Sequence, residues 1–218
     1  MAINQILFFE GLNLTSPIHA SIIMVNVPIL VMIMSLLIIR ERITRLKIIG
    51  VLAGAGGASF IILSGSSPIA GSSSLLGDFF ILLNASSYGL YLVLIKPVML
   101  KYKPITVVRW VFFFGSIFVL PFSAHIAWQA DWAAIPASVW LAILYVIFCT
   151  TILAYFLNNY SLVRISPTAN STFIYLQPFF ASVIAVLYMG DQLKIVHLMA
   201  ALLIFAGVYM VSYKPKTY

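Results

Sequence analysis

Thr15–Ser64, TSPIHASIIMVNVPILVMIMSLLIIRERITRLKIIGVLAGAGGASFIILS, decides the fold, because the chain says it twice. At an offset of 150 residues, the step from Pro17 to Pro167, Ser16-Pro17 falls on Ser166-Pro167, Pro28 on Pro178, Glu41 on Asp191 and Gly57 on Gly207. Leu12, Ser21, Leu37 and Leu52 also meet identical residues without a gap. Chance readily supplies apolar matches in so apolar a chain, but not matched prolines, glycines and acids. The register reads as an internal duplication.

Of the 218 residues, 63% are hydrophobic and 8% charged. A soluble domain carries about 25% charged residues. So little polar surface cannot cover so much apolar side chain, and the solvent must be lipid. At about 20 residues per crossing, the chain holds roughly seven transmembrane helices. Barrel strands are excluded because the apolar runs are unbroken and do not alternate. The net charge of +7 sits mostly in short loops between spans, where it reports orientation rather than nucleic-acid binding. Cys149 is the single cysteine, so no intrachain disulfide forms, and no metal-ligand spacing is present. Met1–Leu14 lacks a basic start and a small-residue cleavage site, and reads as the second half of a helix.

The expected spans are 15–39, 44–64, 75–98, 106–124, 139–162, 167–189 and 193–213. Gly50, Gly54 and Ala58 form a small-residue stripe that lets another helix approach closely. The 65–74 stretch, rich in Ser and Gly, reads as a linker, and 125–138, with Trp128 and Trp132, as an interfacial loop. Eleven of the twelve Lys and Arg residues lie on one side, in or beside alternate links and the C-terminal tail; Lys194 is the exception. The positive-inside rule places those links and the C-terminus in the cytoplasm. Five crossings separate Pro17 from Pro167. An odd number inverts the second copy, a recurring plan of secondary transporters, with the substrate site between the repeats.

Ser16-Pro17, Pro28 and Arg40-Glu41-Arg42 before Gly50 resemble the end of one EamA-type repeat of the drug/metabolite transporter superfamily. Ser166-Pro167, Pro178, Gly190-Asp191 and Gly207 look like the end of the second, and Gly77-Asp78 like its opening. The resemblance covers essentially the whole chain. It implies ten helices in two inverted five-helix repeats with both termini cytoplasmic. The expected fold is thus all-α, a polytopic membrane helix bundle of about seven transmembrane helices with the first repeat incomplete. Residues 1–64 are the C-terminal part of the first repeat, 65–74 the linker, 75–213 the complete second repeat and 214–218 a cytoplasmic tail. The offset places the start of the first repeat about 75 residues before Met1, as a truncated gene or misassigned start codon would leave it.

Polar groups in hydrocarbon usually face the bundle interior or water. Asn84, Ser87, Tyr88 and Tyr91 share one helical face, so Asn84 and the tyrosine hydroxyls are candidate substrate ligands or, equally, interhelical glue. His19 and Asn26 are seven apart, as are Asn170 and Gln177 in the equivalent helix, and the pairs are candidates to face one cavity. His19 suits proton coupling, histidine being the side-chain type that ordinarily changes charge nearest neutral pH, or simply meets water at the interface; Glu10 has the same two readings. Pro28 and Pro178 free the carbonyls of Met24 and Ile174 and act as hinges or static bends. Glu41 and Asp191 are expected to be structural, as ion pairs or helix N-terminal charges, and Asp78 likewise. Tyr155, Asn158 and Asn159 form a further polar cluster near the cytoplasmic end, or are simply wetted at the interface, and Lys96 and Arg109 are expected to snorkel or else to attract anionic substrates.

The leading function is a permease or exporter of small metabolites, such as amino acids or amphiphilic compounds, working by alternating access. The alternative is a non-transporting membrane fragment or subunit that needs a partner to complete the bundle. No P-loop, HExxH, G-x-S-x-G or pair of intramembrane aspartates points to an ATP-driven pump or an enzyme. No cofactor is expected. The expected partners are the lipid bilayer and a small-molecule substrate, with a homodimer allowed and no nucleic acid. The expected location is the bacterial inner (plasma) membrane.

Overall fold

The computed structural model describes residues 2–65, 74–129, 131–132, 135–189 and 195–213. Asp191, Lys194, the 66–73 part of the linker and the 214–218 tail lie outside the described residues. The described residues are helical with no strand. In chain order the helices are α1 (Ala2–Leu14), α2 (Pro17–Met24), α3 (Val27–Ile38), α4 (Arg45–Gly65), α5 (Leu75–Lys101), α6 (Pro104–Gln129) and α7 (Ala137–Tyr145). A π-helical stretch, Val146–Leu153, leads into α8 (Ala154–Ser161). There follow α9 (Pro167–Thr172), a 3₁₀ turn (Phe173–Tyr175), α10 (Leu176–Met189) and α11 (Ile195–Ser212).

Five described helical segments are long and apolar enough to cross a membrane: His19–Ile38, Arg45–Leu63, Leu75–Lys101, Pro104–Pro121 and Ala137–Ser161. The other two expected spans are also helical. One is divided by the 3₁₀ turn before α10, and the other is α11. The chain is an all-α polytopic membrane protein. Its first span divides at Val25-Asn26, just before Pro28, whose missing N–H prevents the α2 ladder from continuing. The divided span 167–189 has its 3₁₀ turn just before Pro178. Helix α6 runs five residues past the expected end of its span at residue 124, so the interfacial loop begins later than expected.

The residues form two compact units, one of Ile3–Leu94 with Ile165–Tyr218, the other built mainly from Ile95–Arg164. At the centre of the first, α4 lies against α11. A Cβ on Gly50 would stand 2.7 Å from the carbonyl oxygen of Gly207, and one on Gly57 would stand 2.8 Å from that of Ala200. The helices are therefore antiparallel, and only glycine allows such an approach. The expected stripe is real, with Gly57 added to it.

The contact is also reciprocal in the 150-residue register. Gly50 and Ala200 are equivalent positions, as are Gly57 and Gly207. Each touches the equivalent of the other's partner, the signature of a self-complementary interface. Val25 and Tyr175, also equivalent and lying at the two helix breaks, share the buried cluster with Ala58, Ile61, Ala200, Ile204 and Val208. Antiparallel packing of register-equivalent helices is the arrangement an inverted duplication requires.

In the second unit, the Lys96 ammonium donates to the Leu162 carbonyl just past the end of α8. At that helix end the cation satisfies an orphan C-terminal carbonyl. In the π stretch, the hydroxyls of Thr150 and Thr151 both donate to the Val146 carbonyl, at 2.8 and 3.0 Å. Two adjacent threonines competing for one carbonyl favour departure from the i→i−4 ladder.

Candidate functional site

The polar residues of the first unit gather at three places. The first lies between α1, α2 and α5. Helix α1 runs antiparallel to α5, because a Cβ on Gly11 would meet Ile81 and the Gly77 carbonyl while Asn4 reaches Asn84. Asn4 donates to the Asn84 backbone carbonyl at 3.0 Å and to its side-chain oxygen. The Asn84 amide donates to Met24 Sδ at 3.3 Å. Asn84 is buried and bound on both ends of its amide by protein groups. Tyr88 and Tyr91, one and two turns further along α5, are half-buried. Gly89 between them lets α5 approach Val31 of α3.

The second place is the start of α2. Ser16 caps the helix by accepting from the His19 N–H at 3.3 Å, with Pro17 at the first helical position. The Asp78 carboxylate, from the first turn of α5, accepts from the Thr15 hydroxyl and lies 3.4 Å from His19 Nδ1. His19 is half exposed, its side chain at 49% of full accessibility. Asn26 closes the same element, donating to the carbonyls of Ile22 and Ile23 at 3.1 and 3.4 Å. It satisfies backbone that the helix break leaves open.

The third place is the start of α9. Ser166 caps it by accepting from the Ala169 N–H, with Pro167 at the first helical position. All six residues of α9 are buried, four of them polar and packed largely against α3 and α11. The Glu41 carboxylate accepts from Lys47 at 2.6 Å and from the Thr168 hydroxyl at 3.0 Å. Arg40, with φ of 53°, ends α3 in the left-handed region and turns the Glu41 N–H back to the Ser35 carbonyl at 3.0 Å. Burial raises the Glu41 pKa; hydrogen bonds from Lys47, Ser166 and Thr168, with the Lys47 charge, outweigh it and hold the carboxyl below its ordinary value.

Asn170 is buried and Gln177 exposed, because the 3₁₀ turn between them rotates the register. Pro28 is buried at the start of α3, and Pro178 sits in the first turn of α10. Glu10 is exposed on α1. In the second unit, Asn159 is buried, and the Tyr155 ring packs edge-on against Phe112 with centroids 5.7 Å apart. Among the described residues no group of three His, Cys, Asp or Glu side chains is placed to hold a metal ion. Sequence reasoning missed Asn4 and Thr168 as polar partners. Each lies far along the chain from the group it bonds, so no local pattern could pair them.

An uncharacterized transporter of Bacillus subtilis, YyaM, is 27% identical over 207 residues, spanning 94% of this chain and 68% of its own length. A protein of Streptantibioticus cattleyicolor named a probable terminal-alkyne amino-acid exporter is 24% identical over 196 residues, 88% of this chain and 63% of its own. A crystal structure matches with a TM-score of 0.79 at 17% identity, over 96% of this chain and 71% of that one, and shows the fold. Residues 1–63 and 75–213 match the EamA-like transporter family, and with nearly the whole chain accounted for, this membrane protein belongs to that family of transporters.

Proposed function

We propose that the chain moves small neutral or zwitterionic metabolites, with amino acids or amphiphilic compounds as the substrate class, by alternating access between two inverted repeats. Residues 1–64 serve as the later part of the first repeat and 75–213 as the second, joined by 65–74. The membrane is a bacterial inner membrane, with the C-terminus and the basic links in the cytoplasm. The observation that carries this reading is the reciprocal, antiparallel α4–α11 contact. Two similar halves facing opposite ways exchange inward-open and outward-open states at nearly equal energy. The likeness to a protein named as an amino-acid exporter supports the substrate class.

Of the candidates, the half-buried Tyr88 and Tyr91 of α5 are assigned the substrate-facing role, with the exposed Gln177 and His19 as further candidates. Cells expressing the chain are loaded with labelled neutral amino acids, and efflux is followed at matched membrane abundance. Tyr88→Phe is expected to lower the rate about fivefold, the equivalent of one lost hydrogen bond. Unchanged efflux in both Tyr88→Phe and Tyr91→Phe removes these residues from the site. Efflux no faster than in cells without the chain removes the substrate class.

A further inference from the structure

The hairpin of α5 and α6 carries a groove that the transport reading does not use. Ile95 and Val98 line it from α5, Tyr102 from the turn, and Thr106, Trp110 and Phe114 from α6; its volume is about 530 Å³. The α5 residues recur at helical spacing, and those of α6 stand one turn apart, so each helix gives one continuous face. The walls are almost wholly apolar. They offer a polar solute nothing to bond, but they suit a hydrocarbon chain. Trp110 is half exposed and stacked on Phe114, with ring centroids 5.6 Å apart.

Charge at the turn gives the groove a direction. Lys101 ends α5, Lys103 precedes α6 and Arg109 lies further along α6. All three are exposed, and none has a side-chain partner among the described residues. No acidic residue occurs between Asp78 and Asp131. Lys96 differs, since its ammonium is held by the Leu162 carbonyl. Both helices are long enough to span, so their turn lies at one membrane surface. Uncompensated positive charge thus sits at the mouth of an apolar, aromatic-walled groove. Basic clusters at helix ends attract anionic headgroups, while a choline or ethanolamine ammonium meets like charge there.

We infer that the α5–α6 hairpin is a binding site for an anionic phospholipid, with an acyl chain along Trp110 and Phe114 and the phosphate at Lys101 and Lys103. The site takes lipid from whichever leaflet holds the turn, and it stands independently of the transported substrate.

Trp110 reports on it directly. Replacing Trp128, Trp132 and Trp140 by Phe leaves Trp110 as the sole tryptophan. The protein is placed in vesicles of mixed phosphatidylcholine and phosphatidylglycerol, with one or the other lipid brominated on its acyl chains at equal mole fraction. Brominated phosphatidylglycerol is expected to quench Trp110 more strongly than brominated phosphatidylcholine. The K101Q and K103Q changes are each expected to cost about fivefold in relative affinity for the anionic lipid, and together to erase the preference. Should the triple Phe variant not fold, subtracting the W110F signal from that of the unaltered chain gives the same reading. Equal quenching by both lipids would mean ordinary annular lipid, and no quenching by either would mean a groove covered by protein. A phosphatidylglycerol preference that survives K101Q/K103Q would place headgroup recognition elsewhere. Each of these outcomes overturns the assignment.

Discussion

The starts of α2 and α9 begin alike and end differently. Each opens with Ser-Pro, each serine caps its helix through the N–H three residues on, and each receives a carboxylate from elsewhere in the chain. At α2 that carboxylate is Asp78 of α5, with the half-exposed His19 beside it. At α9 it is Glu41 from the α3–α4 turn, held by Lys47 and laid over a wholly buried helix. The repeated dipeptide therefore determines the cap and nothing beyond it. Neighbours in space decide whether the cap sits in a wet, weak network or a buried, strong one. Helices α4 and α11 show the opposite case: the two copies meet each other, and their environments become alike.

The largest effect is expected where the copies behave alike. Gly57→Leu and Gly207→Leu place a side chain where a Cβ alone would lie 2.8 and 2.5 Å from a facing carbonyl oxygen. Each should destabilise the protein by about 3 kcal/mol or more, read as denaturation in detergent micelles. Gly56→Ala faces open space and should stabilise by about 0.5–1 kcal/mol. A Gly207→Leu variant as stable as the parent would break the symmetric reading of α4 and α11.

A smaller loss is expected at the start of α9. Glu41→Gln removes a charge that Lys47 and Thr168 both address, and should cost about 2 kcal/mol at neutral pH. Because the folded carboxyl titrates below its ordinary value, its stabilisation is complete above the unfolded pKa of about 4.3 and disappears as pH falls through the folded one. Thermal melts from pH 7 down to 3 should show this loss in the parent chain and a flatter profile in Glu41→Gln. Equal slopes would put the acid sensitivity elsewhere.

The smallest loss belongs to the half-buried counterpart, Asp78. Asp78→Asn keeps an acceptor for Thr15 and gives up only a solvent-screened contact with His19, and should cost under about 1 kcal/mol. A larger cost than that of Glu41→Gln would reverse the ranking of the two networks.

Much of the fold was legible because lipid imposes a simple rule on sequence. Long apolar runs and prolines mark the spans, and the 150-residue register marks their relation. The Gly50–Gly54 stripe was readable because close helix approach needs small residues whatever the partner. The candidate site was less legible. Asn84 could be placed on a polar face, but its partner Asn4 lies 80 residues away. Asn170 and Gln177 satisfied a seven-residue spacing that a single 3₁₀ turn undoes. Glu41 was recognisable as structural by position, yet Thr168, which it holds across 127 residues, left no local trace. The π stretch follows from two adjacent threonines, a signal visible only after the Val146 carbonyl is known to receive both hydroxyls.

The crossed contacts of α4 and α11 also govern how the two copies can drift apart. Gly50 faces Gly207, while Gly57 faces Ala200. A bulkier residue at position 200 is therefore judged by the space at 57, and one at 50 by the space at 207. The constraint runs diagonally between the copies rather than along the register that aligns them. Position 50 has Ala200 as its counterpart and position 54 has Ile204, whereas 57 and 207 are both glycine. Substitutions on one copy are thus inherited as demands on the other, and covariation in this helix pair should follow 50 with 207 and 57 with 200.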